Sequence, residues 1–315
     1  MATTMVPPRA LLPDVLPTDR LSAAGRLVPE LRAALRRIPN ARNAVAVAGA
    51  YLQTFGVIAA AVALHHPAAW VAAYFLMGRG HALLNILGHE AAHRILFSNR
   101  RSNDVIGRWA LSGISFTPFD LYRRAHIAHH RDELGPDEPD LNLYTGYPIR
   151  PSSLRRKLTR DAMGVSGWKN LKGLIPAFLA PTSRRHATPI VITQVVLFGV
   201  AISLGRPELY VLLWLAPWMS VWKVLNRLRA IAEHGGMERS SDRRRTTHVV
   251  RQGPLARFWV VPYKTGWHLA HHVDMGIPYR HLPRLHRELV DAGWISDALE
   301  YRSYAALWRA LASSR

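Results

Sequence analysis

Histidine is concentrated at three places in this chain, in patterns that put several imidazoles on one helix face. The sequence is HEAAH at 89–93 and HxxHH at both 126–130 and 268–272. Residues three or four positions apart share a helix face, so their ring nitrogens can converge on one ion. Eight imidazoles exceed the need of one tetrahedral zinc but suit two ions with about four or five nitrogen ligands each. The clusters therefore predict a two-metal centre, with the ligands His89, His93, His126, His129, His130, His268, His271 and His272.

Long apolar runs stand on either side of these clusters. An uncharged run covers residues 44–64, and a second run covers 68–88 after a His-His-Pro break. About 20 residues cross a hydrocarbon core of about 30 Å, so the two runs predict a transmembrane hairpin. Residues 188–204 and 209–225 predict a second hairpin, although arms of about 17 residues also suit a buried soluble hairpin.

Basic residues are distributed unevenly about these runs. Of the 41 lysines and arginines, 39 fall within 1–43, 89–187 and 223–315. If both hairpin tips face outward, Arg206 is the only basic residue in an outer loop, which is the arrangement of the positive-inside rule. The net charge of +20 therefore indicates topology. Nucleic-acid binding is the other interpretation of so basic a chain, but no recognition motif accompanies it.

We predict an all-α integral membrane protein with four transmembrane helices in two hairpins. A helical cytosolic cap, residues 89–187 and 226–315, carries the histidines, and residues 44–315 form the membrane domain. Prolines interrupt the first 20 residues, so no signal peptide is expected and both termini should lie on the cytoplasmic side. In the cytosolic segment 1–43, leucines at helical spacing among arginines predict an amphipathic helix on anionic lipid or a solvated helix.

A different helix is expected to place a ninth histidine at the same depth relative to the membrane. If the helix of the fourth run continues to Glu233, it carries His234 about 7 Å beyond the hydrocarbon. Gly235 and Gly236 then stop the helix. His234 is therefore predicted to be a ligand, and the alternative is a lone capping histidine.

Two ionisable residues, Arg79 and His81, fall within the second run. Such groups are costly in a span unless they face a cavity or one another, so both are candidates for a substrate or proton path. Alternatively, a shifted or tilted span brings them to the interface. Cysteine is absent, which leaves histidine and carboxylate to carry any metal chemistry.

Three segments together resemble the three histidine boxes of membrane fatty acid desaturases: GHEAAHRILF, YRRAHIAHH followed by EPD, and GWHLAHHVDMGIPYRHLPRLH. The likeness runs from about residue 68 to residue 294 and includes the separate histidine in AEHGG, His234. It implies a four-span fold with a non-haem di-iron centre whose ligands are the nine histidines. Asp137 and Asp140 are then expected to accept imidazole N–H groups and orient them.

The resemblance also implies the reaction and its partners. Oxygen is activated at two iron ions, and two hydrogens are removed from methylene groups of a fatty acyl or related lipid chain. No GxGxxG fingerprint and no cysteine occur in the chain, so the electrons are expected from a ferredoxin, rubredoxin or small cytochrome with an NAD(P)H reductase. The expected location is the bacterial cytoplasmic membrane, with the metal site on the cytoplasmic side.

Departures from the family pattern leave alternatives open. Many acyl desaturases have NYHLEHH where this chain has GWHLAHH, so Trp267 joins the candidates for the substrate path. The same boxes occur in hydroxylases that act on lipids, alkanes or isoprenoids. HEAAH is also the HExxH pattern of zinc metalloproteases, with Glu90 as general base, but that activity leaves both HxxHH clusters unused. A metal transporter would need ionisable residues in several spans.

Overall fold

A computed structural model describes residues 4–314, and these residues fall into two compact units. Unit 1 consists of residues 4–38, 125–155 and 227–314, and unit 2 of residues 39–124 and 156–226. Three helices run from one unit into the other: α5 (Phe119–Arg131), α7 (Pro151–Ala162) and α12 (Val221–His234). Within the described residues, the only strands are β1 (Val249–Val250) and β2 (Glu300–Tyr301), which pair in parallel. The chain is therefore mostly helical, as predicted.

Unit 2 is built on long helices. It contains α2 (Asn40–Leu64), α3 (Pro67–Ala92), α4 (Arg100–Val105), α8 (Val165–Leu179), α9 (Pro181–Ser203), α10 (Pro207–Tyr210) and α11 (Ala216–Met219), with π-helical segments at Ile106–Gly113 and Val211–Leu215. By length and composition, two helical stretches among the described residues could cross a membrane, Pro29–Leu64 and Pro181–Ser203.

The first hairpin forms where the sequence predicts it. Helix α2 ends at Leu64 because His65 adopts a left-handed conformation with a φ of 48°. The His66 side chain then accepts a hydrogen bond from the Ala68 amide, and Pro67 opens α3 as the first helical residue. Close packing follows, since a Cβ added to Gly80 would lie 2.9 Å from Thr54 Oγ1.

The second hairpin differs from the prediction in its second arm. Helix α9 begins at Pro181, seven residues before the predicted start. Instead of one span over 209–225, the return arm consists of α10, a π-helical segment, α11 and a break at Ser220 (φ −119°, ψ −81°) before α12. Pro217 lacks an amide N–H, so the regular hydrogen-bond ladder cannot continue through it. Helix α12 does end at His234, and Gly236 follows with a φ of 74°.

Unit 1 consists of short helices. It contains α1 (Pro29–Leu35), α6 (Leu141–Tyr144), α13 (Pro254–Trp259), α14 (His268–Val273), α15 (Leu282–Asp291) and α16 (Tyr304–Leu311), together with 3-10 turns at Arg9–Leu11, Arg243–Arg245, Pro262–Lys264 and Asp297–Leu299. The predicted N-terminal amphipathic helix is limited to α1. Leu21 and Leu35 are buried and Leu31 is half-buried.

Candidate metal centre

Four histidines of unit 1 converge with one ring nitrogen each. Their ligand atoms all lie within 4.8 Å of one another, and all four side chains are buried. The Nε2 atom of His268 is 3.1 Å from Nε2 of His234 and 3.0 Å from Nε2 of His272. We call this set the four-histidine cluster; its members are His129, His234, His268 and His272.

Three helices supply the four-histidine cluster. His268 and His272 are separated by one turn of α14, which places both rings on the same face. His234 is the last residue of α12, and His129 lies in the last turn of α5. Sequence spacing therefore places His268 and His272 on one helix face. The packing of three helix ends then brings these two rings together with His129 and His234.

Each Nδ1 atom in the four-histidine cluster is directed at an acceptor. His234 Nδ1 donates to the Thr246 carbonyl oxygen over 2.8 Å, and His268 Nδ1 lies 3.4 Å from Glu233 Oε1. When Nδ1 carries the proton of a neutral imidazole, Nε2 holds the lone pair. The remaining acceptors are carboxylates, Glu138 at 2.5 Å from His129 Nδ1 and Glu133 beside His272 Nδ1.

The arrangement fits a metal ion. Lone pairs that meet at about 3 Å repel one another unless a cation lies among them, and neutral imidazoles held by carboxylates and carbonyls are the usual metal ligands. Burial lowers the pKa of both His234 and His272 well below the usual value, with neighbouring histidines adding to the effect. These two rings are therefore neutral at neutral pH, which is the form that binds metal.

Glu133 is buried and accepts several hydrogen bonds at once. Its carboxylate accepts hydrogen bonds from His272 Nδ1, the Arg243 guanidinium and the Thr246 hydroxyl. Burial raises the pKa of Glu133, and the Arg243 charge opposes that effect. Although His130, Glu133 and His272 could themselves hold an ion, the three donors already occupy the carboxylate, so orienting His272 is its role in this geometry.

His129 differs electrostatically from its neighbours. Burial is the largest single influence and lowers its pKa, but the hydrogen bond to Glu138 and the charges of Glu138, Glu133 and Asp140 together outweigh burial and raise the pKa. The Tyr144 hydroxyl is a second partner of this ring, because it lies 3.3 Å from His129 Nδ1. Metal binding at this ring therefore competes with a proton.

The other three predicted ligands in unit 1, His126, His130 and His271, form a second group. His126 Nε2 and His130 Nε2 are 3.2 Å apart, and the His271 ring centroid is 4.7 Å from that of His130. In unit 2, His89 and His93 lie together at the end of α3, with ring centroids 4.7 Å apart. All nine predicted ligands are thus placed in groups within their units.

Side chains of unit 2 hold the end of α3, where His89 and His93 stand. Asn103 donates to the Ala91 carbonyl over 2.9 Å and accepts from the Phe97 amide over 3.2 Å. Arg123 donates to the Ala92 carbonyl over 3.0 Å and bonds to Asp104. These contacts satisfy carbonyls that a helix end leaves without a partner. Arg123 is therefore a structural residue, not a residue free for lipid or substrate contact.

We expect Asn103→Ala to destabilise the protein. The Asn103 side chain is fully buried, and its loss removes one donor from the buried Ala91 carbonyl and the acceptor of the half-buried Phe97 amide. The expected decrease is about 1–3 kcal/mol in the free energy of unfolding, measured as a lower thermal midpoint in detergent. Asn142→Ala, at an exposed position, is the control, and equal midpoints for both variants would contradict the assignment.

The carboxylates that orient the imidazoles are not the predicted ones. Asp137 is exposed and Asp140 half-buried, and within residues 4–314 neither side chain is hydrogen-bonded to a ring nitrogen. Glu138, Glu133 and Glu233 take that position. Helix α5 ends at Arg131, so the chain turns before Glu138 and brings that residue, rather than its neighbours, back to His129. Sequence adjacency was the available signal for Glu233, which directly precedes His234.

The three residues predicted for a substrate path have local partners. Arg79 donates to Gln53 Oε1, and His81 Nε2 donates to the Trp214 carbonyl over 3.0 Å. The Trp267 ring packs on His286, with centroids 4.3 Å apart. Each of these contacts lies within one unit.

Comparison with known proteins agrees with this histidine arrangement. The family model described as fatty acid desaturase matches residues 63–305. A similar protein is the dihydrorhizobitoxine desaturase of Bradyrhizobium elkanii, which is 26% identical over 264 residues that cover 76% of this chain and 71% of the relative. Because the family model covers most of the sequence, this chain belongs to the fatty acid desaturase family.

Proposed function

We propose that this protein is a membrane-bound, oxygen-dependent desaturase that introduces a double bond into a fatty acyl or related lipid chain. The observation that carries the proposal is the four-histidine cluster, with every Nδ1 directed at an acceptor and the Nε2 atoms directed at one another. Membership of the fatty acid desaturase family supports it.

The proposed cofactor is a pair of non-haem iron ions held by the nine histidines. When bound, the pair supplies activation of oxygen and removal of hydrogen from an unactivated methylene group. The chain's own contribution is to keep the ligands oriented: Glu133 holds the His272 ring, Glu138 holds His129, and the Thr246 carbonyl holds His234. Burial of these groups keeps water from competing for their hydrogen bonds.

The apolar surface of unit 2 supports a membrane location. Val45, Leu52, Phe75 and Val195 are each more than half exposed, on α2, α3 and α9. Large exposed apolar patches are unusual on soluble monomers. We infer that α2, α3, α9 and the irregular return arm cross the membrane in two hairpins. The charge distribution then puts both termini and the histidines on the cytoplasmic side.

An apolar cavity in unit 2 supports an acyl substrate. It has a volume of about 250 Å³ and lies among α8, α9 and residues 116–121. Phe116, Leu171, Leu174, Ile190 and Trp218 are among its lining residues. A cavity with such walls binds an apolar ligand in preference to a charged one.

Desaturation is preferred to hydroxylation because the relative from Bradyrhizobium elkanii is named for a desaturation. A hydroxylase of the same fold is the second candidate. In either case the electrons are expected from a separate ferredoxin, rubredoxin or small cytochrome, and the basic cytoplasmic face would attract an acidic carrier. The zinc protease alternative uses HEAAH alone and leaves the four-histidine cluster without a function.

Two measurements test the proposal. Protein purified anaerobically should contain two irons per chain, and one tightly held zinc in place of iron would favour the protease. The chain is then expressed in a host of known lipid composition, and extracted lipids are compared by mass spectrometry. Loss of two hydrogens from an acyl chain is the expected result, whereas gain of one oxygen would identify a hydroxylase.

A further inference from the structure

The N-terminal segment lies against α14, the helix that carries His268, His271 and His272. Arg32 Nε and Arg36 Nη2 each lie 2.6 Å from one oxygen of the Asp274 carboxylate. The Asp274 side chain is 2% exposed, and its residue directly follows α14. Two guanidinium groups on one buried carboxylate make a strong, directional contact.

Further contacts join the same two segments. His281 Nδ1 donates to the Leu35 carbonyl over 2.6 Å. The Gly276 amide donates to Asp274 Oδ1, and a Cβ added to Gly276 would lie 2.6 Å from Arg36 Nη2. Glycine at this position thus permits the Arg36 guanidinium to reach Asp274.

Helix α14 needs such support because it is only six residues long. Helices of this length are unstable alone, and within the described chain no side chain caps its start. The turn before it contains Tyr263 (φ 53°) and Lys264 (φ 62°) in the left-handed region. Consecutive non-glycine residues in that region are strained, so contacts elsewhere must hold them. Asp274 provides such a contact at the other end of the helix.

We propose that Asp274 is a positioning residue. Its ion pairs with Arg32 and Arg36 fix the orientation of α14, and this orientation keeps His268, His271 and His272 directed at their metal ions. The N-terminal segment lies before the residues matched by the family model, and it is therefore an added support of the metal centre in this chain. The inference rests on the metal centre of the proposed function.

The test compares two ion pairs of the same segment. Asp274→Asn removes the carboxylate charge at the end of α14. Glu288→Gln removes the carboxylate of a second ion pair, in which Arg20 Nη2 lies 2.6 Å from Glu288 Oε1. Glu288 lies on α15. Iron per chain is measured after gel filtration, and the rate of iron release is followed with bipyridine as chelator. Thermal midpoints and helical circular dichroism are recorded for each variant.

We expect Asp274→Asn to release iron about 10- to 100-fold faster than the wild type, as for other residues that orient metal ligands. Glu288→Gln should release iron at the wild-type rate. Arg32→Lys with Arg36→Lys keeps both charges but not the planar fork, and should give an intermediate rate. Equal release by Asp274→Asn and the wild type would overturn the proposal.

Two further arms keep the test decisive. If Asp274→Asn does not fold, Arg32→Gln and Arg36→Gln act at partly exposed side chains and should show the same faster release. If the wild type holds no iron, the di-iron proposal fails, and the same release measurement with Zn²⁺ still tests the positioning. Unchanged Zn²⁺ release in the variants would then contradict it.

Discussion

Replacing His272 with alanine should abolish desaturation while the fold is retained. The ring lies at the centre of the four-histidine cluster, with Nε2 3.0 Å from His268 Nε2 and Nδ1 held by Glu133. Its loss removes a ligand and leaves a buried carboxylate with one donor fewer. We expect activity at the background level and about half of the wild-type iron, measured by lipid mass spectrometry and metal analysis.

The control is His65→Ala. His65 is exposed and ends α2 in a left-handed conformation, so its replacement should leave iron content and activity unchanged. His130→Ala should behave like His272→Ala, because His130 belongs to the second histidine group. Equal activity in all three variants would refute the ligand assignment.

Glu133→Gln should weaken the centre without removing a ligand. The amide keeps the size of the side chain, but an NH₂ group in place of Oε1 would face the Arg243 guanidinium and the His272 Nδ1–H, and in the other orientation Thr246 would have to reverse its hydroxyl hydrogen bond. The substitution also removes the negative charge of Glu133, which makes the hydrogen-bonded His272 ring more basic and therefore a stronger ligand. The expected result is a loss of about 10- to 100-fold in iron affinity or activity, measured by chelator competition and by turnover.

Glu238→Gln is the matched control, because Glu238 lies in the same unit with its side chain about half exposed and paired with Arg245. An exposed ion pair contributes at most about 1 kcal/mol, so this variant should keep its iron. If Glu133→Gln binds iron as tightly as Glu238→Gln does, the orienting role of Glu133 is wrong. A Glu133→Gln protein that has lost helical content would instead identify a structural role.

The histidine groups were predictable because helical spacing is a local property. His126, His129 and His130 must share a face if their segment is helical, and the same holds for His268, His271 and His272. The first helical hairpin was predictable for a similar reason, since uninterrupted apolar runs and the His65-His66-Pro67 break are local signals.

Glu133 was not predictable as an acceptor, because its partner is distant in the sequence. Glu133 and His272 are 139 residues apart, and no periodicity links them. Asp137 and Asp140 were inferred from their closeness to the second histidine cluster, yet the end of α5 at Arg131 decides which acidic side chain returns to His129. Hydrophobic patterning also predicted one continuous helix for the fourth apolar run, because apolar composition does not reveal the break at Ser220.

By itself, the sequence predicted the histidines that the structure gathers in groups, that the chain is mostly helical, and where the first hairpin turns. Only the tertiary structure decided which carboxylates contact the imidazoles, and that Leu21 and Leu35 are buried while Arg32 and Arg36 pair with Asp274. The physical reason is range: spacing and composition govern contacts within one helix, whereas hydrogen bonds between distant segments depend on where packed helices end.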